Sequence, residues 1–246
     1  MTTVSATPTA AVLLIGNELL SGRTQDSNLA DIAKRMTEKG IRLREARVIS
    51  DTPDVIVHTL NELRSKYTYV FTTGGIGPTH DDITADCVAE AFGVDLPIHP
   101  EAEAILMAYF KERDIEPNAD RLRMARIPVG ALLVENAVSA APGFQMDNVF
   151  VFAGVPRIMQ SMLDSVLPRL EEGELVHSVT VYCHLGEGTI ASSLRDIQSQ
   201  FPSVDLGCYP GKMSGEIKLS LVARGTDETE LATVKALLEK MVADLS

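Results

Sequence analysis

The chain has 246 residues, of which 45% are hydrophobic and 23% charged, and this composition excludes global disorder. Its net charge is −12, whereas proteins that bind nucleic acid through phosphates carry a surplus of basic residues, so no nucleic-acid partner is expected. The apolar runs are shorter than the roughly 18 residues of a membrane span, the chain opens without a secretory leader, and its three cysteines are widely spaced. We therefore expect a cytoplasmic protein with no membrane partner.

The first nine residues are polar and predict a flexible tail, followed by a large domain over residues 10–173. Hydrophobic patterning there predicts strands at residues 11–15, 41–49, 69–73 and 149–153. It predicts helices at about residues 27–38, 53–66, 81–92, 101–112, 118–126 and 156–170. This alternation of strands and helices indicates parallel crossovers and an α/β sandwich.

The pattern changes near residues 171–174, which read EEGE. Strands are predicted at residues 178–184, 204–209 and 216–223, and helices at about 189–200 and 228–245. The segment at residues 211–215 is predicted to be a hairpin loop. Residues 174–246 are therefore predicted to form a small β-α-β-β-α domain of the α+β class.

Ligands of open parallel sheets bind outside the carboxyl ends of the strands. The strongest candidate there is the segment TTGGIGPTHDDIT at residues 72–84, between a strand and a helix. Its glycines allow a close backbone approach, and a helix start adds unpaired N–H donors, so the loop predicts a phosphate site. It is neither a P-loop nor a standard dinucleotide fingerprint. The residues predicted to bind phosphate are Thr73, Gly74, Gly75, Gly77 and Thr79.

Carboxylates in a phosphate loop would repel the ligand unless a divalent cation lies between them. Mg²⁺ typically takes one or two protein carboxylates together with phosphate oxygens. Asp82, with Asp81 or Asp51, is therefore predicted to hold Mg²⁺, Mn²⁺ or Co²⁺, and Asp82 and Asp51 are the predicted catalytic residues. The structural alternatives are a capping box of Thr79 with Asp82, a first-turn helix charge at Asp81, and a turn or cap at Asp51.

A second loop leaves the first predicted strand and carries amide, carboxylate and hydroxyl groups. Such groups suit a nucleobase, a pterin or a ribose, although loops are polar in any case. The residues assigned to this role are Asn17, Glu18, Ser21 and Asn28. Gly154, before a further helix start at Pro156, is predicted to contact another phosphate, the alternative being an ordinary helix start.

The segments at residues 15–22, 72–79, 82–84, 141–144 and 154–156 occur in a characteristic order. Together they resemble the N-terminal part of competence/damage-inducible protein A (CinA), in the molybdopterin-binding (MoaB/Mog-like) superfamily. They are also similar to the N-terminal domain of eukaryotic FAD synthase. The sequence departs from the family's usual pattern at His80 and Ala153.

The resemblance implies a three-layer α/β/α sandwich with a mostly parallel sheet, followed by a small KH-like domain. It implies a nucleotide pyrophosphatase that cleaves ADP-ribose, or FAD as in the synthase relatives, with a divalent metal and in some members K⁺. It also implies a homodimer, and because the chain ends at residue 246 no C-terminal amidohydrolase activity is expected. Other hypotheses are a pterin-binding protein, a molybdopterin adenylyltransferase and an interaction protein with an inactive site.

Overall fold

The computed structural model describes residues 7–210 and 218–246. Residues 1–6 of the predicted tail, the predicted hairpin loop at 211–215 and the predicted start of a strand at residue 216 lie outside the described residues. The chain divides between Gly173 and Glu174 into two compact units. Residues assigned to the end of the tail are part of the first unit, since a strand begins at Thr9 and the Pro8 carbonyl accepts the Arg42 amide at 2.9 Å.

The first unit alternates strands with helices. Its strands are β1 (Thr9–Ile15), β2 (Arg42–Ile49), β3 (Tyr69–Thr73), β4 (Leu132–Val134), β5 (Gly143–Met146) and β6 (Val149–Phe152). Its helices are α1 (Asn17–Leu20), α2 (Asn28–Glu38), α3 (Pro53–Lys66), α4 (Thr84–Phe92), α5 (Pro100–Glu112), α6 (Ala119–Leu122) and α7 (Pro156–Val166). Two short 3₁₀ turns follow α6 and α7, at Arg123–Ala125 and Leu167–Arg169.

These strands form one sheet in the order β2-β1-β3-β6-β5-β4. Pairing is parallel from β2 through β1 and β3 to β6, and antiparallel from β6 to β5 and β4. The predicted mostly parallel α/β fold is thus confirmed. The carboxyl ends of β1, β2, β3 and β6 share one edge of the sheet, as the candidate loops require.

Each face of the sheet buries its own hydrophobic cluster. Leu13 of β1 faces a cluster with residues of α3, α4 and α5, including Leu60 and Val88. Leu14 faces a second cluster with residues of α2 and α7, including Ile32 and Met159. Consecutive strand residues point to opposite faces, so the uninterrupted apolar run of β1 supplies both cores. The result is the expected three-layer sandwich.

Three predictions for this unit are wrong in detail. Helix α4 begins at Thr84 instead of residue 81, so Thr79 and Asp82 lie in the loop before it and form no capping box. Strands β4 and β5 were not predicted, because three and four residues carry too little periodicity to identify. The helix predicted at 118–126 is shorter, a single turn of α6 continued by the 3₁₀ turn.

The second unit has the predicted β-α-β-β-α order. Its elements are β7 (His177–Cys183), α8 (Glu187–Gln200), β8 (Asp205–Pro210), β9 (Leu219–Gly225) and α9 (Glu228–Asp244). The strands form an antiparallel sheet in the order β7-β9-β8, and both helices contribute to its core through residues such as Ile190 and Leu238. None of the helices in residues 7–210 and 218–246 has the length and apolar character needed to cross a bilayer.

Candidate functional site

The glycine loop after β3 has a backbone that only glycine fits without strain. Gly74 and Gly75 have φ of 103° and 68°, in the left-handed region that penalises a side chain. A Cβ at Gly74 would overlap the Ile15 carbonyl, and one at Gly75 would overlap the Thr84 hydroxyl. The Gly74 amide donates to the Phe152 carbonyl at 3.1 Å, which ties the loop to the end of β6.

Thr84 anchors the same loop from the first residue of α4. Its side chain is fully buried, and its hydroxyl donates to the Gly74 carbonyl at 2.9 Å. Its backbone amide donates to the Gly75 carbonyl at 2.9 Å. The chain therefore folds back on the glycines before the helix begins, which is why α4 starts later than predicted. Sequence reasoning gave Thr84 no role, although it stands within the quoted motif.

Asp81 and Asp82 meet at one hydroxyl. Thr79 Oγ1 lies 2.5 Å from Asp81 Oδ1 and 2.6 Å from Asp82 Oδ2, and the Thr79 amide donates to Asp82 Oδ2 at 2.8 Å. A hydroxyl carries a single proton, so it donates to only one of these carboxylates at a time. The hydrogen bond from the Thr79 hydroxyl lowers the pKa of Asp81 below its usual range, because it stabilises the ionised form.

Gly77 leaves room for this carboxylate pair, since a Cβ there would stand 2.6 Å from Asp82 Oδ2. His80, between Thr79 and Asp81, is 96% exposed, with its Nδ1 3.9 Å from Asp81 Oδ1. The imidazole is therefore a solvated group at the rim of the loop. Asp81 and Asp51 were the residues predicted to act with Asp82, and Asp81 is the one that shares the Thr79 hydroxyl with it.

Asp51 has a different partner. Its Oδ2 accepts the backbone amide of Asn17 at 2.8 Å, so it fixes the start of the loop after β1. Asp51 follows β2, which is separated from β3 by β1, and adjacent strands lie about 4.8 Å apart. Within residues 7–210 and 218–246, no three His, Cys, Asp or Glu side chains group closely enough to hold a metal ion. Asp51 therefore does not complete a three-carboxylate site with Asp81 and Asp82.

A cleft, here called the β1 cleft, opens between the β1 loop and the ends of β3 and β6. Its lining comprises Ile15, Glu18, Leu19, Thr24, Gln25, Asp26, Ser27, Asn28, Thr73, Gly154 and Pro156. Two of the four predicted ring-binding residues, Glu18 and Asn28, are among them. Asn17 and Ser21 lie outside this lining; the Ser21 hydroxyl donates to the Glu18 carbonyl at 3.2 Å and so stabilises the α1 turn.

Asn28 is the most constrained polar group of the β1 cleft. It is 4% exposed, its Nδ2 donates to the Gly154 carbonyl at 2.8 Å, and its backbone amide donates to Asp26 Oδ1 at 3.1 Å. Its Oδ1 is buried with no hydrogen-bond partner among the residues described. Buried polar atoms of native proteins are nearly always paired. The free oxygen is therefore suited to accept a hydrogen bond from a ligand donor.

Gly154 connects this amide to the glycine loop. A Cβ on Gly154 would lie 3.3 Å from the Gly74 Cα, so the loops after β3 and β6 pack backbone against backbone. The carbonyl of Gly154 orients Asn28. Its predicted contact with a phosphate remains a prediction.

A second cleft, here called the arginine cleft, lies on the other side of the glycine loop. It is lined by Gly75, Ile76, Gly77, Asp82, Ala85, Arg123, Met124, Arg126, Ile127, Pro142 and Phe144. Arg126 is neutralised by Asp86 through two hydrogen bonds of 2.9 and 2.6 Å. Arg123 was missed by sequence reasoning, since nothing in the local pattern shows that the turn after α6 packs beside the glycine loop.

The chain matches two protein families along its length. Residues 11–172 match the family described as "Probable molybdopterin binding domain". Residues 175–246 match "FAD synthase, middle domain". The first match covers all but the first two residues of the six-stranded sheet and includes both clefts. The second match covers the antiparallel sheet with its two helices.

Relatives of similar length occur in archaea. A protein of Archaeoglobus fulgidus is 31% identical over 95% of this chain and 97% of its own length. A CinA-like protein of Salinibacter ruber is 31% identical over 96% of this chain, which spans only 60% of that protein. The crystal structure of the protein CinA, of unknown function, from Thermoplasma acidophilum superimposes with a TM-score of 0.61 at 32% identity, covering 67% of this chain and 99% of that one.

These matches agree with the mostly parallel α/β sheet of the first unit. The chain belongs to the molybdopterin-binding (MoaB/Mog-like) domain family, and its relatives include CinA-like proteins.

Proposed function

We propose that the chain is a metal-dependent hydrolase that cleaves the pyrophosphate bond of a nucleoside diphosphate compound, with ADP-ribose as the first candidate and FAD as the second. The observation that carries this proposal is the pair Asp81 and Asp82, joined by the Thr79 hydroxyl within a glycine loop at the carboxyl edge of a parallel sheet. The substrate class is the one implied by the resemblance of the sequence motifs to CinA, and CinA-like proteins are among the relatives of this chain.

The β1 cleft binds the ring system of the ligand, and the glycine loop beside it binds the pyrophosphate. In the β1 cleft, the free Asn28 Oδ1 accepts an N–H or an exocyclic amino group of the ring system. The glycine loop separates that cleft from the arginine cleft and holds the pyrophosphate at its backbone. Positioning of this kind supplies a large part of the acceleration, because reacting groups are held in place before the transition state forms.

The residues of the loop fit a divalent cation. Two adjacent carboxylates together with phosphate oxygens match the ligands that Mg²⁺ prefers, and the bonds from Thr79 hold Asp82 in one orientation. Asp81 and Asp82 would hold Mg²⁺, Mn²⁺ or Co²⁺, and such an ion neutralises phosphate charge and lowers the pKa of a water. Asp51 supports this edge indirectly by fixing the Asn17 amide.

The test is a turnover assay on the full chain. ADP-ribose, FAD, NAD and coenzyme A would each be supplied with Mg²⁺, Mn²⁺ or Co²⁺, with and without K⁺. The product to be quantified is AMP, or adenosine 3′,5′-bisphosphate in the case of coenzyme A. We expect Asp82→Ala to abolish AMP release with little change in thermal unfolding, and the exposed Asp114→Asn to leave both unchanged. Absence of AMP release by the wild-type protein, or its persistence in Asp82→Ala, would contradict the proposal.

A second candidate is a pterin-binding protein without turnover. The match of residues 11–172 to a molybdopterin-binding family favours it, and the free acceptor at Asn28 suits the N–H donors of a pterin as well as those of adenine. Binding of a fluorescent pterin, titrated beside ADP-ribose, separates the two. Tight pterin binding together with no affinity for ADP-ribose supports the second candidate and contradicts the first.

A further inference from the structure

We infer that Arg123 binds a phosphate group of the ligand held at the glycine loop. The inference rests on the proposed function and deepens it, because it assigns a cationic ligand contact to a residue outside the loop motifs. It also sets the direction in which a nucleotide lies across the sheet edge. The argument depends on where the guanidinium lies, on its lack of a carboxylate partner, and on the opposite character of the two clefts.

Arg123 begins the 3₁₀ turn that follows α6. Its side chain lines the arginine cleft together with Gly75, Gly77 and Asp82. Its Nη2 lies 3.5 Å from the Asp82 carbonyl oxygen, a distance at the long limit for a hydrogen bond. The guanidinium therefore stands at the loop that is proposed to hold the pyrophosphate.

The charge of Arg123 is unpaired within residues 7–210 and 218–246. Its Nε is buried with no hydrogen-bond partner, and none of the ion pairs formed by those residues includes it. Arg126, in the same cleft, also has a buried Nε without a partner, but both of its terminal nitrogens donate to the Asp86 carboxylate, so its charge is paired. A buried donor without an acceptor is unfavourable. A ligand with several acceptor oxygens would satisfy Arg123 while leaving the Arg126 pair intact.

Phosphate is the group that this arrangement fits. A guanidinium presents several N–H donors in a planar fork that matches phosphate oxygens. None of the described residues that line the β1 cleft is a cation, and the carboxylates of Glu18 and Asp26 there repel an anion. In the arginine cleft, the guanidinium of Arg123 offsets the carboxylate of Asp82. The ring system of a nucleotide is therefore placed toward Asn28, and its phosphates toward Arg123.

The test measures anion binding directly, with inorganic pyrophosphate as the probe, by calorimetry on the full chain in Mg²⁺ buffer. We expect Arg123→Gln to weaken pyrophosphate binding by about 10- to 100-fold, as expected for hydrogen bonds to a charged group. Arg123→Lys should retain part of the affinity, because it keeps the charge and loses the fork. The matched control is Arg113→Gln, since the Arg113 side chain is 45% exposed and pairs with Glu112 on the protein surface.

Adenosine provides the second probe, because it carries no phosphate. We expect its affinity to be equal in wild-type protein and in Arg123→Gln, which also verifies that the variant is folded. If Arg123→Gln does not fold, Arg123→Lys is compared with the wild-type protein instead. Its pyrophosphate affinity must then be lower than that of the wild type, and its adenosine affinity must be the same.

Equal pyrophosphate affinity in wild-type protein and in Arg123→Gln overturns the inference, as does a wild-type protein that binds no pyrophosphate. The two proposals fail separately. Absence of AMP release together with an Arg123-dependent affinity for pyrophosphate refutes only the proposed hydrolase. AMP release together with an affinity that does not depend on Arg123 refutes only this inference.

Discussion

The side-chain nitrogen of Asn28 donates to the carbonyl of Gly154 at 2.8 Å across a separation of 126 residues. This bond joins the loop after β1 to the loop after β6, and it fixes the amide so that Nδ2 is occupied and Oδ1 remains free. Because Gly154 also packs on Gly74, the bond links three of the loops at the sheet edge. Asn28 is thus a structural connection whose Oδ1 is free, and this oxygen is the ligand acceptor in the proposed function.

Replacement of Asn28 by Asp should remove the hydrogen bond to Gly154 and keep the Oδ1 acceptor. The substitution removes the donor to Gly154 and places a carboxylate at a buried position beside a carbonyl oxygen, so we expect a loss of about 1–3 kcal/mol in the free energy of unfolding. Urea denaturation measures this loss. Asn118→Asp is the control, since Asn118 is exposed and caps α6 through its side-chain oxygen, a role that Asp fills equally well. Equal stability of the two variants would show that the Gly154 bond contributes little.

Gly74→Ala should destabilise the chain far more than Gly22→Ala. Both glycines have positive φ, 103° and 72°, so both substitutions incur the backbone penalty of about 1–2 kcal/mol. A Cβ at Gly74 would in addition overlap the Ile15 carbonyl, whereas one at Gly22 would meet no atom within 4 Å. Equilibrium unfolding of both variants measures the difference, and a similar loss in the two would mean that the loop can move away from β1.

Thr84→Val tests the anchor of the glycine loop. The substitution keeps the shape of a buried side chain and removes the hydroxyl that donates to Gly74 at 2.9 Å. We expect a loss of about 1–3 kcal/mol, because the Gly74 carbonyl is left without this donor. Thr37→Val is the control, since the Thr37 hydroxyl donates to the Ala33 carbonyl on an exposed helix surface. Denaturation curves that shift by the same amount would argue against a special role for Thr84.

The carboxylate of Glu45 on β2 makes stability depend on pH. Hydrogen bonds from Tyr67, Lys66 and Arg47 lower the pKa of Glu45 from its ordinary value near 4.5 to about 2. When the pKa of a carboxyl group is lower in the folded state than in the unfolded state, the group stabilises the fold at pH values above the unfolded-state pKa. This contribution is lost as the pH falls through the folded-state pKa. Relative to Glu45→Gln, the wild-type advantage should therefore be complete above pH 4.5 and decline toward pH 2.

Urea midpoints of the wild-type protein and Glu45→Gln, measured from pH 7 to pH 3, check this dependence. Glu38→Gln serves as the control, because Glu38 is exposed and its ion pair with Arg35 is 3.8 Å long. A constant difference between wild type and Glu45→Gln over the whole range would contradict the proposed coupling.

Much of the fold follows from short-range signals. The apolar run of β1 predicts a strand buried on both faces, and residues 69–73 predict the strand β3. Pro53 with the following pattern predicts α3 with the bounds that the structure shows. The glycine loop and the two carboxylates beside it are equally visible, because glycines between a strand and a helix are a local feature. Membership of the family is likewise visible in the order of the motifs.

The remaining features depend on contacts between distant parts of the chain. The bond of Asn28 to Gly154, the bond of Asp51 to Asn17 and the approach of Arg123 to Asp82 join residues 126, 34 and 41 positions apart. No local pattern encodes these pairs. The sequence by itself determined the longer strands, most of the longer helices and the glycine loop, whose causes are local, but not the short strands β4 and β5 or the start of α4. Only the tertiary structure decided which carboxylates meet and which amide and guanidinium face the clefts, because packing of the helices on the sheet sets those distances.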